Sequence, residues 1–138
     1  MLPATTTSSS IISNVIGTIE QTSRTYKIDF EKKKITGKID NVEALKQTVF
    51  CILNTARYEY IIYSHNYGAE FENAIGLDYE LAKSEIQRYI EEAILADDRF
   101  VSVNNFKFER KDLNSLIVTC NIDTIYGLTL NVEQKVGV

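Results

Sequence analysis

The sequence predicts one small α+β domain, a mostly antiparallel sheet with two main helices packed on one face, in the order β-β-α-β-α-β-β. Three observations predict it. Residues 115–126, SLIVTCNIDTIY, set Leu116, Val118, Cys120, Ile122 and Tyr126 against Thr119, Asn121 and Asp123, the period of two that marks a half-buried strand. Residues 40–57 and 78–98 instead repeat apolar side chains every three or four positions, as helices with a buried stripe do. A length of 138 residues with 44% hydrophobic content supports one proper core and leaves no room for two ordinary domains.

Residues 1–23, rich in Ser and Thr with one Pro, read as a flexible or partner-ordered arm ahead of a domain at 24–138. TYKIDF (25–30) alternates Tyr26, Ile28 and Phe30 with polar neighbours, and the chain returns through Ile35 and Ile39, so two strands joined at Lys32, Lys33 and Lys34 are expected. The first helix starts at Asp40, with Glu43 three residues on in capping-box fashion, and buries Val42, Leu45, Val49, Ile52 and Ala56. YEYIIY (58–63) is aromatic and β-branched, hence a predicted strand, ended by Ser64, His65 and Asn66. A short helix from Glu70 to Ala74 stops at Gly76. The second long helix buries Tyr79, Ala82, Ile86, Tyr89, Ile90 and Ala93. In RFVSVNNFKFER (99–110) the apolar parity shifts between Val103 and Phe106, which predicts a bulge at Asn104 and Asn105. A polar turn at 111–114 leads into the last long strand, and LTLNV is expected to continue that strand past a bulge at Gly127.

Charge and cysteines exclude several function classes. Fifteen basic residues against 19 acidic ones give a net charge of -4, with no footprint for phosphate backbones, so nucleic acid is not an expected partner. No run approaches the roughly 18 apolar residues of a membrane span, and no basic residue precedes Arg24, which argues against a secretory signal and for a cytoplasm-like compartment. Cys51 and Cys120 match no metal-ligand spacing and read as reduced core cysteines. The single histidine excludes H-E-x-x-H, and no P-loop, G-x-S-x-G or G-x-G-x-x-G occurs, so neither a cofactor nor a metal is expected.

Two chemistries remain for the acidic and aromatic residues. Glu59, Glu70, Glu72, Asp97 and Asp98 are the acids available for the carboxylate pair of a glycosidase, although 19 acidic residues guarantee such pairs by chance. His65, beside Tyr63 and Asn66, is a candidate general base, but a lone loop histidine is more often a solvated side chain. Tyr58, Tyr60, Tyr63 and Tyr67 divide between two roles, alternate members filling the core and the rest covering a helix. Partly exposed tyrosines are also what protein interfaces use, because a rigid amphipathic ring loses little entropy on binding.

The string TYKIDF…ITGKID…EALKQ…ILNT.RYEY.IYS..YG, with DDRFVSVNNFKFER and the long final strand behind it, carries a resemblance over residues 25 to about 132. It is similar to the contractile-tail baseplate wedge family, also called sheath initiators, and within it to baseplate proteins of Gram-positive prophages and phage-like elements. Relatives occur in type VI secretion baseplates. That family carries an aromatic-glycine step after the first helix, usually preceded by arginine, proline and glutamate; Tyr67 and Gly68 match the step, and His65 and Asn66 replace the residues before it. It also carries a Glu-Pro-Arg triplet after the second helix. Here Asp97 keeps the charge with a shorter reach, Asp98 replaces the proline and Arg99 matches.

The resemblance implies a structural protein of the tail baseplate, present in multiple copies around the tail axis and assembled in the bacterial host cytoplasm. Its implied partners are wedge proteins bound at the acid-arginine corner, the tail sheath added as strands on a sheet edge, and the tail tube or hub. Asp97, Asp98, Arg99, Tyr67, Gly68 and Glu70 are the implied partner-binding residues, and no catalytic residue is implied. The arm and the tail NVEQKVGV (131–138) would be extra strands or clamps that order on assembly. The alternative carried by the family's naming history is a lysozyme-like, peptidoglycan-cleaving baseplate protein.

Overall fold

A computed structural model describes residues 23–138. The expected arm, Ser23 excepted, lies outside the described residues. Strands β1 (Thr25–Asp29) and β2 (Lys34–Ile39) form a two-stranded antiparallel hairpin. Helix α1 (Asn41–Leu53), a 3-10 turn (Phe71–Ala74) and helix α2 (Tyr79–Leu95) follow. The chain ends in β3 (Phe100–Asp112), β4 (Ser115–Thr124) and β5 (Thr129–Gly137), an antiparallel sheet in that spatial order. The class is α+β as expected, with the strands divided between two sheets rather than joined in one.

The core lies between the two helices and one face of the larger sheet. Central β4 buries Leu116, Val118, Cys120 and Ile122, the alternation read from the sequence, while α1 adds Leu45, Val49 and Ile52. From α2 come Ile86, Ile90 and Ile94, and from β5 Leu130 and Val136. Both cysteines are free; burial pushes the Cys120 thiol up to about 11, so it stays protonated and behaves as a small apolar side chain. Asp40 caps α1, its carboxylate accepting from the Asn41 amide at 2.7 Å rather than from the amide three residues on. At the other end Asn54 and Thr55 donate side-chain hydrogen bonds to the Phe50 and Cys51 carbonyls, closing the last turn of the helix. The register between β3 and β4 slips between Asn104 and Lys107, and Asn105 sits at φ 54°, which is the expected bulge.

Three expectations are corrected. Residues 58–63 are not a strand but a succession of turns. The Arg57 amide donates to the Ala69 carbonyl (3.2 Å) and the Ala69 amide to the Thr55 carbonyl (3.0 Å), so the chain between closes on itself as a loop, paired with no strand among the described residues. Tyr58, at φ 69°, also interrupts extended backbone. Tyr58, Tyr60 and Tyr63 are therefore exposed instead of filling the core. Second, Gly127 does not bulge a continuing strand: at φ 75° it closes a turn in which its amide reaches the Thr124 carbonyl at 3.2 Å, reversing the chain into β5. Third, the tail NVEQKVGV is no separate clamp; all but its last residue belongs to β5, paired with β4 in unbroken register from Asp123↔Thr129 to Ser115↔Gly137.

Candidate functional site: an aromatic-glycine step beside an acid-arginine corner

The Tyr67-Gly68 step is built by close backbone approach. Gly68 has φ 99°, and a Cβ there would lie 2.7 Å from the Thr55 carbonyl oxygen and 3.0 Å from the Arg57 nitrogen, so no larger residue fits without moving backbone. Tyr67, half-buried, stacks on Tyr63 at 4.4 Å between centroids, and Tyr63 meets Tyr60 edge-on at 6.1 Å. Tyr58 and His65 rings are 5.9 Å apart. The loop thus packs largely on itself.

Arg57 ties that loop down. Its Nε donates to the His65 carbonyl at 2.7 Å, and one Nη lies 3.4 Å from Glu70 and 3.6 Å from Glu92 on α2. Arg88 continues the chain of charge, bonded to Glu92 at 3.2 Å and to Glu85. Glu70 therefore holds the start of the 3-10 turn against the loop. Glu59, Glu72 and His65 are exposed on the surface. A recess of about 640 Å³ does lie between the β3-β4 turn and the end of β5, lined by Asp112, Leu113, Asn114, Ser115, Lys135 and Gly137, remote from those acids in the chain. Among the described residues no group of acids, cysteines and histidine is arranged to hold a metal, and no helix is long and apolar enough to cross a membrane.

The acid-arginine corner sits where α2 hands over to β3. Asp97 accepts three hydrogen bonds from Arg99: its amide at 3.0 Å, Nε at 3.0 Å and Nη2 at 2.7 Å. The carboxylate thus grips the Nε-Nη2 edge of the guanidinium bidentately and fixes its plane. Burial acts to raise the Asp97 carboxyl, but the hydrogen bonds and charge of Arg99 outweigh it and hold it below its ordinary value. The same pairing pushes Arg99 up. Backbone locks the corner as well, because Ile125 donates to the Arg99 carbonyl at 3.0 Å and Phe100 to that of Asp97 at 3.2 Å. Asp98 points to solvent.

The two landmarks share one end of the domain. Burial first, then Cys51, Tyr63 and the charge of Asp97, push the Tyr67 phenol up, so Asp97 lies within electrostatic reach of the aromatic step. Tyr126 acts on Arg99 in the same way, and its phenol meets the Ser23 hydroxyl at 3.4 Å. The chain consequently enters the described domain beside the corner. Arg57, which organises the step, is the residue sequence reasoning missed: Arg57, Glu70 and Glu92 are linked by no periodicity, and the one available signal was an arginine just past a helix terminus.

The family of contractile injection system sheath initiators matches residues 23–127, from the buried Ser23 to the glycine of the β4-β5 turn. The phage-like element PBSX protein XkdS of Bacillus subtilis (strain 168) is 42% identical over 122 residues, covering 85% of this chain and 84% of that protein. A crystal structure of a Geobacter sulfurreducens protein, provisionally named a tail lysozyme, superimposes with a TM-score of 0.58 at 16% identity, over 70% of this chain and 89% of its own; at that identity the likeness concerns the fold alone. On the family match over residues 23–127 and the 42% identity to XkdS, this chain belongs to the contractile injection system sheath initiator family, as a structural component of a phage-type contractile tail baseplate.

Proposed function

We propose that the protein joins wedge proteins to the tail at the Asp97-Arg99 corner and starts sheath assembly by offering the outer edge of β5 for strand addition. The observation that carries this reading is the state of the edges. β3 is broken by three register shifts. The outer side of β1 is occupied by the Gln47 side chain, which accepts from the Ile28 amide at 3.0 Å and donates to the Tyr26 carbonyl at 2.7 Å. β5 runs nine residues in continuous register with β4 alone.

The direction of its unpaired groups follows from the antiparallel pattern. The Thr124 amide donates to the Leu128 carbonyl and the Val138 amide to the Asn114 carbonyl. Hydrogen-bonded pairs alternate along such a ladder, so Leu130, Val132, Gln134 and Val136 bond to β4, while Thr129, Asn131, Glu133, Lys135 and Gly137 turn their N-H and C=O outward, the Lys135 carbonyl accepting from the Gln134 side chain at 3.2 Å. An incoming strand would bond to the outward groups of Thr129, Asn131 and Glu133 first. At the corner, Asp97 engages two of the five guanidinium N-H donors of Arg99 and leaves the others for a carbonyl or carboxylate of a wedge protein. Asp98 stands outside as a second contact, and the partly exposed Tyr67 and Glu70 present the adjoining surface, held in shape by the buried Gly68 between them. The tail tube or hub is the remaining expected neighbour, with assembly in the host cytoplasm.

Glu133→Pro removes one outward donor without touching the β4 ladder. The expected result is a folded protein that enters baseplates but fails to nucleate sheath; normal sheath on such baseplates would reject β5 as the edge. Arg99→Ala should fold and fail to enter baseplates, and normal incorporation would reject the corner. The name of the Geobacter sulfurreducens protein motivates a second reading, peptidoglycan cleavage. Clearing of a peptidoglycan suspension by purified protein, abolished by Glu70→Gln or Glu59→Gln in a folded variant, would replace the structural reading.

A further inference from the structure

Charge is unevenly distributed in this chain. Residues 25–39 hold five lysines, at 27, 32, 33, 34 and 38, against Asp29 and Glu31, a net +3, so the rest of the chain carries -7. Among the described residues none of the five is in an ion pair. Asp29 Oδ1 accepts from the turn amides of Glu31 (3.1 Å) and Lys32 (3.0 Å), and Asp29 is in no ion pair with these lysines among the described residues. The hairpin also carries Tyr26, Phe30 and Ile35, which are 58%, 50% and 65% exposed. Its attachment is slight: Gln47 bridges β1, and Phe30 meets Phe50 at 4.5 Å.

The 58–63 loop is the complementary surface. Ile61 is fully exposed and Ile62 nearly so, with Tyr60 half-exposed beside them. Its one charged side chain is Glu59, exposed and in no ion pair among the described residues, while the flanking Arg57 is engaged by Glu70 and Glu92. Each patch is centred on exposed apolar side chains, and the lysines of the hairpin are opposite in sign to Glu59 of the loop, as in a docking pair.

We propose that the β1-β2 hairpin of one copy packs on the 58–63 loop of a second copy of this chain, the hairpin lysines facing Glu59 across the contact. One such contact covers both exposed apolar patches at once. Repeated around an axis it links successive copies, and closure of a ring reinforces an interface that is small taken singly. The proposal does not rest on the assignment of β5 as the sheath edge.

The test is sedimentation velocity of the full chain over a range of concentrations at about 0.01 M and about 1 M salt, where the screening length falls from about 30 Å to about 3 Å. The expected result is concentration-dependent association in low salt that disappears in high salt. Lys32→Glu with Lys34→Glu should abolish it, as should Glu59→Lys, and combining them should restore part of it. All these positions lie outside the core, so circular dichroism should be unchanged. Lys33, at φ 53°, is left alone because a substitution there would confound charge with backbone strain. Carbodiimide coupling between ¹⁵N-labelled and unlabelled copies should join hairpin lysines to Glu59. A monomer under every condition, or association indifferent to both charge reversals, would overturn the proposal. So would coupling in intact tail particles that joins the hairpin lysines to a different protein and never to Glu59.

Discussion

Residues 58–63, YEYIIY, and residues 115–124, SLIVTCNIDT, are both rich in β-branched and aromatic or aliphatic side chains, yet the first is a loop on the surface and the second the central strand of the core. The difference lies outside the segments. β4 has β3 on one side, β5 on the other and helices over its apolar face, so its propensity is realised by neighbours. The 58–63 segment is pinned at both ends by the backbone bonds around Thr55, Arg57 and Ala69, and among the described residues it pairs with no strand. A strand-forming composition is a conditional statement. The condition is a partner.

Substitutions can break this contrast at four points. Ile122→Ala should have the largest effect, about 2–5 kcal/mol, because a fully buried side chain of the central strand leaves a cavity; chemical denaturation measures it. Gly68→Ala should cost about 2–3 kcal/mol, since the positive φ and the 2.7 Å approach to the Thr55 carbonyl penalise any Cβ. A loss below about 0.5 kcal/mol would show that the loop closure is soft. Arg57→Ala should cost about 1–2 kcal/mol through the lost bond to the His65 carbonyl and the ion pairs it anchors, with faster amide exchange confined to residues 58–69. Ile61→Ser should change stability by less than about 0.5 kcal/mol, because a fully exposed side chain contributes no core burial. A larger drop would mean that the loop is packed after all, and would also weaken its assignment as a docking surface.

Legibility followed the range of the interactions involved. The helical stripes on α1 and α2, the alternation on β4 and the bulge at Asn104-Asn105 are local patterns, and each was readable. The Tyr67-Gly68 step and the Asp97-Arg99 corner were locatable as positions through family likeness, but their construction was not. Nothing in the sequence says that Gly68 is required by the Thr55 carbonyl, thirteen residues earlier, or that Arg99 spends part of its fork on Asp97. The role of Gly127 was misjudged because a glycine between two apolar runs fits a bulge and a turn equally well, and the pairing of β5 with β4 decides between them.

By itself the sequence determined the class of the fold, both long helices, the face each one buries and the central strand, because those depend on periodicities of 3.6 and 2 written in consecutive residues. It also determined the uneven charge, five lysines in one short hairpin of an acidic chain. Tertiary structure alone decided that YEYIIY is a loop, that the last nine residues before Val138 form an edge strand, and that Tyr67 and Arg99 share one end of the domain. Those outcomes depend on which backbone groups find partners far away in the chain, and a polar backbone must find them somewhere.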